Sequence, residues 1–186
     1  KTQSLNFDIC VVDNNSSDDS VNFLKEKYPN IKVVEAESNL GYGRAHNLAY
    51  EKYSNYDYYV FMNNDITVSP DWLSSMLNIY EQKENVGAVG PKILLSKKKE
   101  DKYVINSAGM HIDKHHMAYD RYEGEYDNDK YSVIEKVDGI CGAVMLIPNT
   151  IFQKINGFNP KIFLYYEDVD LSLRIRDIGH DIYYCG

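Results

Sequence analysis

Short apolar runs alternate with amphipathic stretches along the first half of the chain. Asp8-Ile9-Cys10-Val11-Val12-Asp13 reads as a buried strand, and Asn14-Asn15-Ser16-Ser17 behind it is a cluster of turn and cap formers. A helix is predicted next, with Ser16 or Ser17 as N-cap, Asp18 and Asp19 at its positive end, and Val21, Leu24 and Tyr28 on one face. Pro29-Asn30 stops it, and Ile31 to Ala36 predicts a second strand. After Asn39-Leu40-Gly41-Tyr42-Gly43 a helical pattern runs to Tyr53. Tyr58-Tyr59-Val60-Phe61-Met62 is the third strand and ends abruptly in Asn63-Asn64-Asp65. The order strand, helix, strand, helix, strand argues for a mainly parallel sheet with crossover helices.

Ser69-Pro70-Asp71-Trp72 predicts another helix start, with Ser69 as N-cap and Pro70 at the first helical position. Val86 to Leu95 is a strand expected to bend or lie on an edge at Pro91. Beyond Ser96 the character changes. Lys97 to Lys102 is a charged, solvated loop, Val104 to Ile112 a strand, and Tyr119 to Tyr131 an acidic, aromatic loop. Val137 to Ile147 is a turn running into a buried strand, and Asn149 to Ile155 a short helix. Tyr165 to Arg176 predicts a helix with acids in front and arginines behind, which matches the helix dipole. Gly179 caps it, and Asp181 to Cys185 begins another strand.

Composition narrows the functional classes. A net charge of −8 argues against a nucleic-acid footprint. No apolar run is long enough to span a bilayer. Cys10, Cys141 and Cys185 are far apart and show no metal or redox spacing; Cys10 and Cys141 sit in apolar runs and read as buried thiols, which fits a reducing cytoplasm. His111, His115 and His116 lack a helix-borne His-Glu-x-x-His pattern or a cysteine partner, so they are not read as a metal site.

Two places carry chemistry. In open α/β sheets ligands gather at the carboxyl ends of strands. There Asp65, beside Asn63 and Asn64, offers hard oxygen ligands, and a divalent ion on a diphosphate needs few from the protein. Equally, Asp65 can simply start a turn before the next helix. Glu167, Asp168 and Asp170 open the late helix, and Phe163, Tyr165 and Tyr166 crowd the same stretch. An aromatic pocket there would raise a carboxylate pKa, which suits a general base. The glycines at 41 and 43 could admit a ligand to the backbone, with Arg44 in reach of phosphate.

Taken in order, these segments resemble family 2 glycosyltransferases of the GT-A fold, and in particular bacterial rhamnosyltransferase-type enzymes of surface polysaccharide synthesis. The resemblance rests on Val11 to Asp18, Asn39 to Gly43 with Asn47, Phe61 to Asp65, Gly87 to Lys92, Asp138 with Gly142-Ala143, Gly157-Phe158-Asn159, and Tyr166 to Leu171. It implies an α/β fold with a Rossmann-like mixed sheet flanked by helices. It implies inverting transfer of a sugar from a nucleotide-diphosphate sugar to a glycan or lipid-linked acceptor. Asp13, Asn39, Gly41, Arg44, Asn47 and Asn64 would bind the nucleotide sugar. Asp65 and Asn63 would hold Mg²⁺ or Mn²⁺, Asp168 with Glu167 would be the base, and Asp138, Gly142 and Asp170 would face donor sugar or acceptor. Residues 1–95 would form the nucleotide-sugar half and 96–186 the acceptor half of one domain. The setting implied is cytoplasmic, with peripheral association at the inner face of the membrane.

The chain departs from that pattern in places. Asn63 stands where the metal motif has Asp, and Gly139 where relatives often have an aromatic residue. Family members begin with a strand and helix upstream of the stretch matching Lys1 to Asp13, and continue past Gly186. One such unit is roughly 30 residues, so the sequence is expected to be an internal piece. The absent strand would lie between those ending at Asp13 and Asp65. Those two are then expected to pair directly, to receive another chain's strand, or to be completed upstream. In the first two cases donor affinity would be poor. Two other readings stand beside the transferase: a nucleotidyltransferase on a related fold, and a catalytically incompetent piece that keeps the fold.

Overall fold

The computed structural model describes residues 6–186. The polar opening at Lys1–Leu5 lies outside them. The chain divides into two compact units, Lys1–Tyr56 with Gly157–Glu167, and Asp57–Asn156 with Asp168–Gly186.

The first unit contains β1 (Cys10–Asp13), α1 (Ser20–Lys27), β2 (Lys32–Glu35) and α2 (Tyr42–Lys52). β1 and β2 pair in parallel, Cys10 opposite Lys32 and Asp13 opposite Glu35, with α1 as the crossover. Cys10, Val11 and Val12 are only half-buried and Ile9 is exposed; among the described residues β1 has a ladder on one side alone. The helix predicted behind an N-cap at Ser16 or Ser17 starts later, at Ser20, with Asp19 in the cap position. Asp13 takes the Ser16 amide with both carboxylate oxygens (3.3 and 3.2 Å), which holds that stretch in a turn. α1 buries no residue, so the expected face of Val21, Leu24 and Tyr28 is half-buried at best.

The second unit is built on a five-stranded mixed sheet in the order β3 (Tyr58–Met62), β10 (Val144–Pro148), β4 (Val86–Pro91), β11 (Asp181–Cys185) and β9 (Ile134–Val137). Only β4 and β11 run parallel; the other neighbours are antiparallel. The sheet is therefore less parallel than the early alternation suggests, since β3 takes its partner from late in the chain. α3 (Trp72–Gln82) covers one side, burying Met76 and Ile79 with Val89, Val144 and Leu146. Val60 of β3 packs into that cluster. Its neighbour Phe61 points the other way, with its ring 4.6 Å from that of Phe152 on α4 (Asn149–Lys154). Among the described residues β1 pairs only with β2 and β3 only with β10, so the two strands do not pair directly.

Three further expectations change. The run from Val86 to Leu95 breaks at Lys92. Pro91, which has no N–H to give, ends the central strand, and β5 (Ile93–Leu94) joins a ribbon with β6 (Ile105–Ser107). The strand expected from Val104 to Ile112 splits at Gly109, whose φ of 79° turns the chain from β6 into β7 (Met110–Ile112). At the start of the stretch read as loop, β8 (Ala118–Asp120) overlaps it by two residues and pairs with β7. Finally, α3 starts at Trp72 rather than Pro70, and α5 (Glu167–Asp177) starts after Tyr165 and Tyr166, both with φ near +65°.

Candidate active site

In the first unit the loop before α2 is held by Asn14. Its Nδ2 donates to Asn39 Oδ1 (3.0 Å) and to the Gly41 carbonyl (3.3 Å), and its Oδ1 accepts from the Leu40 amide (2.8 Å). Asn39 Oδ1 also takes the Gly41 amide at 3.0 Å. Asn14 was within a recognised motif but was not singled out. Its signal was position, one residue past the end of a strand, where a side-chain amide can clasp the next loop.

The two glycines make room for protein. Gly41 has a φ of 78°, and a Cβ built on it would lie 2.1 Å from the Phe163 carbonyl oxygen. That oxygen accepts the Tyr42 amide at 3.1 Å. At Gly43 a Cβ would meet Phe158 at 2.8 Å. Asn47 completes the clasp: its Nδ2 donates to the Phe158 carbonyl (2.8 Å) and its Oδ1 accepts the Phe158 amide (2.9 Å). The segment Gly157–Glu167 is thus strapped along α2, and Asn47 spends its amide on the strap. Gly41→Ala is expected to lower Tm by about 4–8 °C, for about 2 kcal/mol lost to backbone strain and collision. An unchanged melting curve would mean that the strap gives way freely.

His46, partly buried between Tyr42 (ring centroids 4.3 Å apart) and Phe158 (5.8 Å), has its pKa lowered to about 4 by desolvation. A folded pKa below the unfolded value of about 6.5 means that the unfolded chain binds the proton more readily. Stability is therefore fully present above about pH 6.5 and is lost as pH falls toward 4. Urea unfolding across this range should show a slope that His46→Phe removes. Arg44 is exposed and has no ion-pair partner among the described residues. Asp13 is buried at the end of β1.

In the second unit the β3–β10 ladder continues past β3, because the Asn63 amide donates to the Ala143 carbonyl at 3.0 Å. The preceding residue, Gly142, donates its amide to Asp168 Oδ2 at 2.8 Å. Two consecutive residues therefore tie the Asn63-Asn64-Asp65 turn to the start of α5. Asp65 and Asn64 are exposed in that turn, Asn63 half-buried. Asp168 Oδ1 accepts the Val169 amide at 2.8 Å. Each carboxylate oxygen accepts one amide here and can accept another donor. A Cβ on Gly142 would come within 3.2 Å of Asp168 Oδ2, so this contact favours glycine.

Phe163, Tyr165 and Tyr166, from which an aromatic pocket is expected, are 56%, 77% and 47% exposed. Tyr165 and Tyr166 both have a left-handed backbone, with φ of 65° and 66°. Glu167, the first residue of α5, is buried. Asp138 is largely committed within the protein. Its Oδ2 accepts from His111 Nδ1 (2.8 Å) and the Ile112 amide (3.1 Å), and Arg176 lies 3.3 Å from its Oδ1. His111 thus serves as a carboxylate partner. Asp170 pairs with Arg174 at 2.7 Å, and Arg174 also donates to the Ile155 carbonyl (2.7 Å), tying α5 to the end of α4. Among the described residues no group of three or more His, Cys, Asp or Glu is placed to hold a metal. The donor set at residues 63–65, one carboxylate and two amides, consists of hard oxygens and suits Mg²⁺ or Mn²⁺ shared with phosphate and water.

Residues 1–155 match the family described as glycosyl transferase family 2. The chain belongs to that family. It is 25% identical over 192 residues to the N-acetylglucosaminyl-diphospho-decaprenol L-rhamnosyltransferase of Mycobacterium tuberculosis, covering 92% of this chain and 61% of the relative. It is 23% identical to the low-salt glycan biosynthesis hexosyltransferase Agl10 of Haloferax volcanii, covering 94% of this chain and 55% of the relative. The chain thus spans little more than half the length of these relatives. GalNAc-T7, solved with UDP, GalNAc and Mn²⁺, superimposes with a TM-score of 0.73 at 14% identity over 96% of this chain and 36% of its own. The mannosyltransferase PcManGT of Pyrobaculum calidifontis, in complex with GDP-Man and Mn²⁺, gives 0.61 at 17% identity over 94% and 44%. These likenesses establish the GT-A fold of this family 2 member. Among the described residues no helix is long and apolar enough to cross a membrane.

Proposed function

We propose that this family 2 chain serves inverting transfer of a sugar from a nucleotide-diphosphate sugar to a hydroxyl of a glycan or lipid-linked acceptor. The observation that carries the reading is the link from Asn63 through Ala143 and Gly142 to Asp168, which builds a diphosphate-type turn and a carboxylate on one connected frame. Asp168 accepts the proton of the acceptor hydroxyl. The oxygen attacks the anomeric carbon as the bond to the diphosphate breaks and its electron pair leaves with the nucleoside diphosphate. A divalent ion, when bound, supplies Lewis-acid stabilisation of that leaving group. Asp65 holds it, with Asn63 and Asn64 beside it. Gly142 holds Asp168 through its amide, while Asp138 and Asp170 act from behind by fixing the 110–112 strand and α5.

The first unit takes the nucleotide. Asp13, Asn39 and the backbone at Gly41 face the nucleoside, and the exposed, cationic Arg44 on α2 suits phosphate. The halves of the domain are assigned as residues 1–95 for nucleotide sugar and 96–186 for acceptor. The relatives' names, with their diphospho-decaprenol and glycan substrates, support a cytoplasmic enzyme working on acceptors at the inner membrane face. A thermal-shift screen against nucleoside diphosphates with and without Mn²⁺ tests the reading. A diphosphate at 100-fold over its Kd adds about 2.7 kcal/mol and raises Tm only with the metal. Stabilisation by nucleoside triphosphates alone would favour nucleotidyl transfer instead.

A further inference from the structure

In the second unit α5 and the β7–β8 hairpin border a cleft that the transfer reading leaves unused. Met110, Ile112 and Val169 form a buried cluster between them, and Ala118 and Leu173 pack against it. Arg176 and Asp177 follow Leu173 at i+3 and i+4, so they continue the same stripe of the helix. The end of this stripe and the hairpin turn line an open space of about 430 Å³, within the roughly 300–1,000 Å³ usual for small-molecule sites. Ile112 and Leu173 give the lining its apolar part, and Lys114, His116, Arg176 and Asp177 its charged and polar part.

Both sides of the cleft are held in place. Asp113 fixes the hairpin turn: its Oδ1 accepts the His115 amide (2.8 Å) and the Met117 amide (3.0 Å), and its carbonyl accepts the His116 amide (3.0 Å). His116 takes a left-handed backbone there, with a φ of 61°. On the helix side Arg176 lies 3.3 Å from Asp138 Oδ1 and donates to the Asp138 carbonyl at 3.4 Å. These contacts engage its two terminal nitrogens and leave further N–H groups to give. Lys114, His116 and Asp177 are exposed, and among the described residues none has a side-chain hydrogen bond or ion pair. The cleft therefore presents donors on Lys114, His116 and Arg176 together with acceptors on Asp177 and on Asp113 Oδ2.

We propose that this cleft between α5 and the β7–β8 hairpin is a carbohydrate subsite, which takes a sugar unit of the acceptor glycan beyond the unit being glycosylated. The inference rests on reading the acceptor as a glycan and Asp168 as the base. Sugar hydroxyls both donate and accept, and the ring faces are C–H surfaces, so a sugar matches mixed donors and acceptors beside aliphatic side chains. Phosphate matches less well, because the Asp113 and Asp177 carboxylates repel it. A nucleobase finds no aromatic ring in the lining to stack on. One helix serves both places. Asp168 lies in its first turn, and Leu173 and Arg176 lie about 7.5 and 12 Å further along its axis. A short oligosaccharide spans that separation, whereas a single sugar held at Asp168 does not.

Amide ¹H–¹⁵N NMR titration of the full chain tests the site without any transfer. The probes are trisaccharides of glucose, mannose, rhamnose and N-acetylglucosamine, with inorganic phosphate as the competing anion. One or more of the trisaccharides should shift the amides of Lys114, His116 and Asp177 saturably, and phosphate should not. The double variant Lys114→Ala/Asp177→Ala should weaken that binding about tenfold or more, as expected for lost hydrogen bonds to charged groups. His116→Gly, a substitution that suits the left-handed backbone, should weaken it too and serves if the double variant fails to fold. In transfer assays the same variants should raise KM for a trisaccharide acceptor about tenfold, with kcat and the KM for a monosaccharide acceptor unchanged. Amides that respond to none of the trisaccharides, or to phosphate in their place, overturn the proposal. So does a KM change that is equal for short and long acceptors. Trisaccharide binding at these amides in a protein that transfers no sugar upholds the subsite and counts instead against the proposed activity.

Discussion

Asp168→Asn is expected to lower turnover about 10²-fold or more while donor affinity stays close to that of the unaltered protein. Loss of a positioned general base costs about that much. The asparagine carbonyl can still take the Gly142 amide, which Asp168 Oδ2 accepts at 2.8 Å, while the Val169 amide, which Oδ1 accepts, loses its acceptor. Geometry around residues 142–143 is therefore kept, and with it the link to Asn63. Glu167 is the natural control. It is buried at the first position of α5 and is adjacent in sequence. Initial-rate kinetics of Asp168→Asn and Glu167→Gln decide between them. A severe loss in Glu167→Gln with near-normal Asp168→Asn would move the base by one residue.

Asp65→Ala is expected to abolish Mn²⁺-dependent binding of the donor diphosphate. Asp65 is the only charged group in the turn, and the amides of Asn63 and Asn64 are neutral oxygen ligands. Without the carboxylate the ion loses its one anionic protein ligand, and phosphate oxygens and water are left to hold it. Because Asp65 is exposed, its removal should leave Tm within about 1–2 °C of the parent, as most surface substitutions change stability by no more than about 0.5 kcal/mol. Calorimetry with a nucleoside diphosphate plus Mn²⁺ measures the effect. Equal affinity in parent and variant would contradict the metal assignment.

Much of the fold could be read from local pattern. Val33-Val34 and Tyr58 to Met62 are strands because β-branched and aromatic residues fit a pleated, half-buried surface, and Trp72 to Gln82 is a helix with Met76 and Ile79 on its buried side. What the pattern did not carry was pairing. Nothing near Tyr58 indicates that its neighbour is Pro148, or that β4 should sit between β10 and β11. Such long-range pairings are set by tertiary packing. The same holds for the candidate site. Asp65 and Asp168 stand out as carboxylates at element boundaries, but their link through Gly142 and Ala143 requires the β3–β10 ladder. Asn47 and Asp138 were expected at ligands, and the structure shows their polar atoms used on the Phe158 backbone and on His111 and Ile112.

Product analysis is the most direct measurement of the proposed transfer. The protein is incubated with a nucleotide-diphosphate sugar, Mn²⁺ and a saccharide acceptor, and the products are resolved by NMR. Release of an intact nucleoside diphosphate together with a glycoside of inverted anomeric configuration, both lost in Asp168→Asn, is the expected result. Release of pyrophosphate, or a glycoside that retains the donor's configuration, would contradict it.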